Sequence, residues 1–102
     1  MVSRLLEFHP EAEQEYLSAL RWYRERSLTA AANFEGAIAE AIAKVEETPE
    51  RWLRYFGEFR KYTIHQFPFS VVYQILSTHV LVLAIAHGHR RPGYWKNRST
   101  KS

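Results

Sequence analysis

The strongest constraint on this chain is a run of apolar residues near its end, Val80-Leu81-Val82-Leu83-Ala84-Ile85-Ala86, bracketed by His79 and His87. The run is far short of the roughly 20 residues needed to cross a bilayer. It shows no polar alternation, so His79 to His87 reads as a strand covered on both faces. The rest of the chain must supply that cover. Immediately upstream, Phe69 to Leu76 is β-branched and aromatic, and before it Glu58 to His65 alternates Tyr62 and Ile64 with Lys61 and Thr63. Gln66-Phe67-Pro68 and Ser77-Thr78 are short connections between these segments. Three strands joined so tightly form an antiparallel meander.

The first half has a different period. After Leu5-Leu6-Glu7-Phe8, a short apolar segment, comes His9-Pro10, and proline at the first helical position loses nothing. Glu11, Glu13 and Glu15 crowd the opening turns, where carboxylates suit the positive helix end. Ala12, Tyr16, Ala19, Leu20 and Tyr23 then fall on one helical face, which predicts a helix from Pro10 to Arg26. Ser27-Leu28-Thr29 is a break, with Thr29 as the N-cap of a second helix carrying Phe34, Ile38, Ala41, Ile42 and Val45. Thr48-Pro49 ends it. These apolar stripes read as core rather than as a partner groove. The expected fold is α+β in the order β-α-α-β-β-β: a helical hairpin on one face of a small, twisted, mainly antiparallel sheet, with Leu5–Phe8 as an edge strand. Residues 1–98 make a single domain, and 99–102 a disordered tail.

A chain of 102 residues has room for one core. With no cysteine it has no disulfide framework, no thiol nucleophile and no cysteine metal site. Arg4, Glu7 and Glu11 interrupt any signal-peptide pattern, so the expectation is a cytoplasmic protein away from membranes. Charge is unevenly placed. Residues 1–58 hold all eleven carboxylates against seven Lys and Arg, a sum of −4. Residues 59–102 hold seven Lys and Arg and no acid, a sum of +7. A positive field of that kind suits a phosphate-bearing or acidic partner.

The chemistry is concentrated in His87-Gly88-His89-Arg90-Arg91-Pro92-Gly93-Tyr94-Trp95-Lys96-Asn97-Arg98. Gly88 and Pro92-Gly93 let the backbone leave the sheet sharply. Imidazoles titrate near neutrality. Guanidinium groups match phosphate. Tyr94 and Trp95 can stack on bases. Together they form a kit for cleaving RNA through its own 2′-hydroxyl, which needs a proton acceptor, a proton donor and cations at the phosphorane. Several of these residues also have a structural reading. Trp95 reads as a lid over the sheet, His87 as a satisfied core histidine, and Arg91 and Arg98 as solvated charges. No carboxylate follows His87 and His89, so neither a metal nor a cofactor is expected.

The succession Phe67-Pro68-Phe69-Ser70-Val71-Val72-Tyr73, then Val80 to His87, then His87-x-x-Arg90-x-Pro92-x-Tyr94-Trp95 resembles the C-terminal half of RelE/ParE-type toxins of bacterial type II toxin–antitoxin pairs. The helical hairpin extends the resemblance over nearly the whole chain, and the H-x-x-R-x-P-x-Y-W ending resembles that of one subgroup. The resemblance implies a growth-inhibiting toxin made with an antitoxin, which wraps it with an acidic, partly disordered segment. Operator DNA is then met only through the antitoxin. It implies one of two targets: ribosome-bound mRNA, cut in the A site, or DNA gyrase, poisoned without chemistry. A degenerate, non-toxic member is a third reading. RelE-like ribonucleases use basic residues on the second and third strands plus a C-terminal arginine and tyrosine. Arg60, Lys61, Arg90 and Tyr94 match these, while Ser70 stands where the third-strand arginine would be. Under the ribonuclease reading Arg90 and Arg60 hold the phosphate, His87 or His89 moves protons, and Tyr94 stacks or donates. Lys61, Arg91, Trp95, Lys96 and Arg98 then contact the target. The histidine-rich ending tilts the sequence reading toward cleavage.

Overall fold

The computed structural model describes residues 5–100. Its elements are β1 (Leu5–Phe8), α1 (Pro10–Arg24), α2 (Leu28–Glu47), β2 (Leu53–Tyr55), β3 (Phe59–Thr63), β4 (Phe69–Ile75) and β5 (His79–His87). Short 3-10 turns occupy Pro49–Arg51 and Lys96–Arg98. The five strands form one sheet in the order β1-β5-β4-β3-β2. Every pairing is antiparallel except β1 with β5, which is parallel. The expected α+β fold with a helical hairpin on the sheet is therefore present, with one strand more than the sequence reading supplied.

Local chemistry sets the helix limits. Pro10 opens α1, and the His9 ring accepts the Glu11 N–H at 3.1 Å, satisfying one of the orphan donors of the first turn. The helix ends at Arg24, two residues before the predicted end, and the N–H groups of Arg26 and Ser27 fold back to the Tyr23 carbonyl. Ser27, not Thr29, caps α2: its hydroxyl accepts the Ala30 N–H at 3.1 Å. Both residue types cap well, and the earlier one wins because the hairpin is tighter than the apolar spacing indicated.

The helical stripes are core, as read. Phe34, Ile38, Ala41 and Val45 of α2 and Ala12 and Leu20 of α1 are buried against Val71, Tyr73, Val80, Val82 and Ile85 on one sheet face. Aromatic rings tie the hairpin to the sheet: Tyr23 lies 5.0 Å from Phe34 and 5.1 Å from Phe67, and Phe34 lies 5.4 Å from Phe69. The opposite face carries a second, smaller core of Phe59, Val72, Leu76, Leu81, Leu83 and Ala84, closed by Trp95 at 1% exposure. So β5 is covered on both faces, by helices on one and by the chain's own ending on the other.

Two details of β5 position the functional site. Opposite Val72 and Tyr73 it carries one extra residue, Leu83, in a bulge. And β1 flanks only its first half: the register stops at Phe8 beside Val82, after which the chain turns into α1. Among the described residues no strand lies along the outer edge of β5 beyond that point. The tail expected from residue 99 is held at Thr100, whose N–H donates to Gln74 Oε1 and whose carbonyl accepts from Gln74 Nε2. Residues 101 and 102 of that expected tail lie outside the described residues.

Candidate functional site

The open half of the β5 edge is closed by side chains. Glu15, on α1, accepts the Ile85 N–H at 3.0 Å. Arg98, in the final 3-10 turn, donates to the Leu83 carbonyl at 3.0 Å and meets Glu15 Oε1 at 3.1 Å. A carboxylate and a guanidinium thus do what a strand would do, satisfying a donor and an acceptor that burial would make costly to leave alone. Tyr94 completes the knot by donating its hydroxyl to Glu15 Oε2 at 2.7 Å. Arg90 lays its guanidinium over the Tyr94 ring at 3.8 Å and reaches within 4.0 Å of the same carboxylate. Glu11 adds a second carboxylate 3.7 Å from Arg98.

Electrostatics follow the geometry. Burial pushes the Tyr94 hydroxyl well above the ordinary phenol range, and its hydrogen bond to Glu15 and that group's charge push it further. The opposing pull of Arg90 and Arg98 does not reverse this, so Tyr94 is a neutral donor. Burial alone would weaken the charge on Arg98, but the hydrogen bond and charge of Glu15, with Glu11 and Tyr94, outweigh it and raise its pKa. With 8% of its side chain exposed, Arg98 is not the solvated charge one sequence reading made it.

Beside this knot runs a groove of about 880 Å³. Its α1 wall presents Glu15, Ala19, Trp22 and Tyr23; its sheet wall presents Phe69, Ile85 and His87; Arg90 and Tyr94 stand at the rim. Trp22 is half exposed, with the Arg26 guanidinium 3.8 Å above it. His87 turns its ring toward Phe69 at 5.1 Å and His89 at 5.0 Å. Its Nδ1 accepts the His89 N–H at 3.0 Å. The Gly88 N–H donates to the Pro68 carbonyl at 2.8 Å, which fixes the exit of the chain from β5.

The structure brings His87, His89, Arg90, Tyr94 and Arg98 together at one end of the sheet and leaves the other expected site residues apart. Arg60 sits opposite Tyr73, whereas His87 sits opposite Phe69, four residues along the same strand. At about 3.3 Å per residue that is roughly 13 Å along the sheet, plus two strands sideways, since β4 lies between β3 and β5. Arg60 also spends a donor on the Trp52 carbonyl at 2.8 Å. Lys61 lies on the opposite sheet face over the Tyr55 ring, and Lys96 lies over Phe56. Trp95 is the lid of the second core, 4.9 Å from Phe59, with no ring face offered to a base. Arg91 is exposed. The residues that sequence reasoning missed are Glu15, Glu11 and Trp22. Glu15 carried a signal: it lies three residues after Ala12 and four before Ala19, inside the apolar stripe, in a chain whose last 44 residues have no acid to pair their cations. Among the described residues there is no group of three or more His, Cys, Asp or Glu that could hold a metal ion. No helix among them is long and apolar enough to cross a membrane.

A helical hairpin on one face of a five-stranded mixed sheet, with a basic ending that caps the open edge of β5, is the fold of the small RelE/ParE-type toxins. Solved structures share the fold: the chromosomal ParDE toxin–antitoxin system of P. aeruginosa (14% identity, TM-score 0.62, covering 83% of this chain and 96% of that one); the isolated E. coli RelE toxin (19% identity, TM-score 0.59, 93% and 95%); and a mutant E. coli RelE in complex with a peptide of its antitoxin RelBc (16% identity, TM-score 0.58, 99% and 99%). No curated protein matches by sequence. The family model for the ParE toxin of the type II toxin–antitoxin system parDE matches residues 6–92. The chain belongs to that family.

Proposed function

We propose that this toxin acts by binding its target, DNA gyrase, rather than by cutting mRNA. The observation that carries this reading is the fate of the groups a nuclease would need. Tyr94 has its hydroxyl committed to Glu15 and is held neutral. Arg98 is consumed by Glu15 and the β5 edge. Arg60 is displaced along the sheet and bonded to backbone. What is left at the site is the exposed guanidinium of Arg90, with His87 and His89 behind it, at the rim of an apolar groove, which suits recognition of a protein or protein–DNA surface. An antitoxin neutralises the toxin by laying an acidic segment over this rim, and meets operator DNA through its own DNA-binding part. The action is cytoplasmic and needs neither cofactor nor metal.

A second reading, ribosome-dependent mRNA cleavage, is supported by one observation: the His87 and His89 rings lie 5.0 Å apart in the segment that ends at Arg90, an acid–base pair next to a phosphate-binding cation. Expression of the chain without an antitoxin separates the two. The binding reading predicts filamentation and an induced DNA-damage response with intact mRNA, both lost in Arg90→Ala. Discrete new mRNA 5′ ends mapped by primer extension, with no DNA-damage response, favour cleavage.

A further inference from the structure

We infer that the groove between α1 and the sheet is a binding site for a small, flat aromatic acid, whose rings lie between the groove walls and whose carboxylate meets Arg90. The site rests on the groove alone and holds whichever target the toxin has. At about 880 Å³ the groove falls within the roughly 300–1,000 Å³ of small-molecule pockets. Both of its walls carry rings: Trp22 and Tyr23 on the α1 side, and Phe69, with Ile85 beside it, on the sheet side.

Those rings are held from behind, so the space exists before a ligand arrives. Phe34, at 0% exposure, lies 5.0 Å from Tyr23 and 5.4 Å from Phe69, so one core side chain backs both walls. Trp22 meets Tyr23 edge-on at 5.1 Å. The Arg26 guanidinium, which lines no part of the groove, covers the Trp22 ring at 3.8 Å and donates to the Trp22 carbonyl at 2.9 Å. Preset aromatic walls favour a flat, stiff ligand, which stacks well and loses little freedom on entering.

The charged groups decide the sign of the ligand. Glu11 and Glu15 bring two negative charges to the groove, but both face Arg98, at 3.7 and 3.1 Å, and Glu15 also accepts from Tyr94 and Ile85. Arg90 is less committed. Its guanidinium is stacked on Tyr94 at 3.8 Å, its side chain is 54% exposed, and its carboxylate contact, to Glu15, is a loose 4.0 Å. Among the described residues that side chain donates no hydrogen bond. A planar fork of unused donors at the end of an apolar groove matches a carboxylate. A main-chain partner finds less here, because the Ile85 N–H and the Leu83 carbonyl are already taken by Glu15 and Arg98. Recognition is by ring stacking and one ion pair.

The probe is 2-naphthoate, titrated into the full chain and followed by amide and indole N–H chemical shifts. Two comparators divide its features: 2-naphthylmethanol has the rings without the charge, and acetate has the charge without the rings. Naphthoate is expected to saturate a site with shifts centred on Trp22, Tyr23, Ile85 and Arg90. The alcohol should bind at least about tenfold more weakly, and acetate should not saturate. Arg90→Gln should bring the acid down to the affinity of the alcohol and leave the alcohol unchanged, a split that a folding defect does not produce. Trp22→Ala should weaken acid and alcohol alike, by about tenfold. No saturable binding of naphthoate, equal affinities for acid and alcohol, an Arg90→Gln variant that keeps the preference, or shifts centred on Phe56, the exposed ring under Lys96, would each overturn the inference.

Discussion

Replacing Glu15 by glutamine changes one oxygen to nitrogen and removes one charge, yet it should be among the most damaging conservative substitutions in the molecule. The carboxylate faces four donors: the Ile85 N–H and Arg98 on Oε1, and the Tyr94 hydroxyl and Arg90 on Oε2. An amide accepts at only one of its two ends, so whichever way it turns, one pair of donors meets an N–H₂. Arg98, with 8% of its side chain exposed, is left with Glu11 at 3.7 Å. Breaking a buried ion pair costs about 3–5 kcal/mol. Glu15 keeps some contact with water, at 16% side-chain exposure, and Glu11 remains, so the lower end applies. A loss of about 3 kcal/mol lowers the melting temperature of a domain this size by about 10–20 °C, readable by circular dichroism. A double-mutant cycle with Arg98→Met checks the cause: the pair should cost about 2 kcal/mol less than the sum of the singles, because the second change removes the stranded charge. A Glu15→Gln variant within about 0.5 kcal/mol of the parent, or strict additivity in the cycle, would refute the reasoning.

Tyr73 is held neutral above the ordinary phenol value of 10.0 by burial, and Tyr94 by burial and by Glu15. The unfolded chain loses these protons near pH 10 and the folded chain does not, so stability is complete below that pH and falls above it by about 1.4 kcal/mol per pH unit for each phenol. Tyr94→Phe should flatten the alkaline slope in urea titrations by that amount; an unchanged slope would show that Tyr94 ionises freely in the folded state. Trp95→Ala opens the second core and should cost about 3–5 kcal/mol, whereas Arg90→Ala at the exposed rim should cost under about 0.5 kcal/mol and still abolish growth arrest. Chemical denaturation alongside a growth assay checks both, and a stable Trp95→Ala variant would place that ring outside the core. Ser27→Ala removes the α2 cap and should cost about 1 kcal/mol, against no measurable loss for Thr29→Ala.

The helices were legible because each stripe repeats at helical spacing over three or more turns, and β5 because its apolar run admits few alternatives. β2 was not. It has three residues, two of them exposed, and its one mark is the Phe56-Gly57 turn after it, where a phenylalanine takes a backbone that patterns assign to glycine. The parallel partnership of β1 and β5 joins residues more than 70 positions apart, and nothing local encodes it. The site was half visible. His87, His89, Arg90 and Tyr94 cluster in sequence and in space because one exit loop carries them all. The strand register, which no composition reveals, separates Arg60 from them. Glu15 escaped notice because acids early in a helix read as dipole complements, and only the fold brings that one beside Arg98 and Tyr94. Trp95 showed both of its readings in the sequence, and burial selects the lid.

The most direct measurement is a cleavage-complex assay with purified gyrase, supercoiled plasmid and this chain, run beside primer extension on an mRNA in a purified translation reaction. Action on gyrase predicts inhibited supercoiling and accumulating protein-linked broken DNA that disappears with Arg90→Ala, while the mRNA stays whole. Unaffected gyrase together with new, ribosome-dependent 5′ ends on the mRNA would contradict it and return His87 and His89 to the centre of a cleavage site.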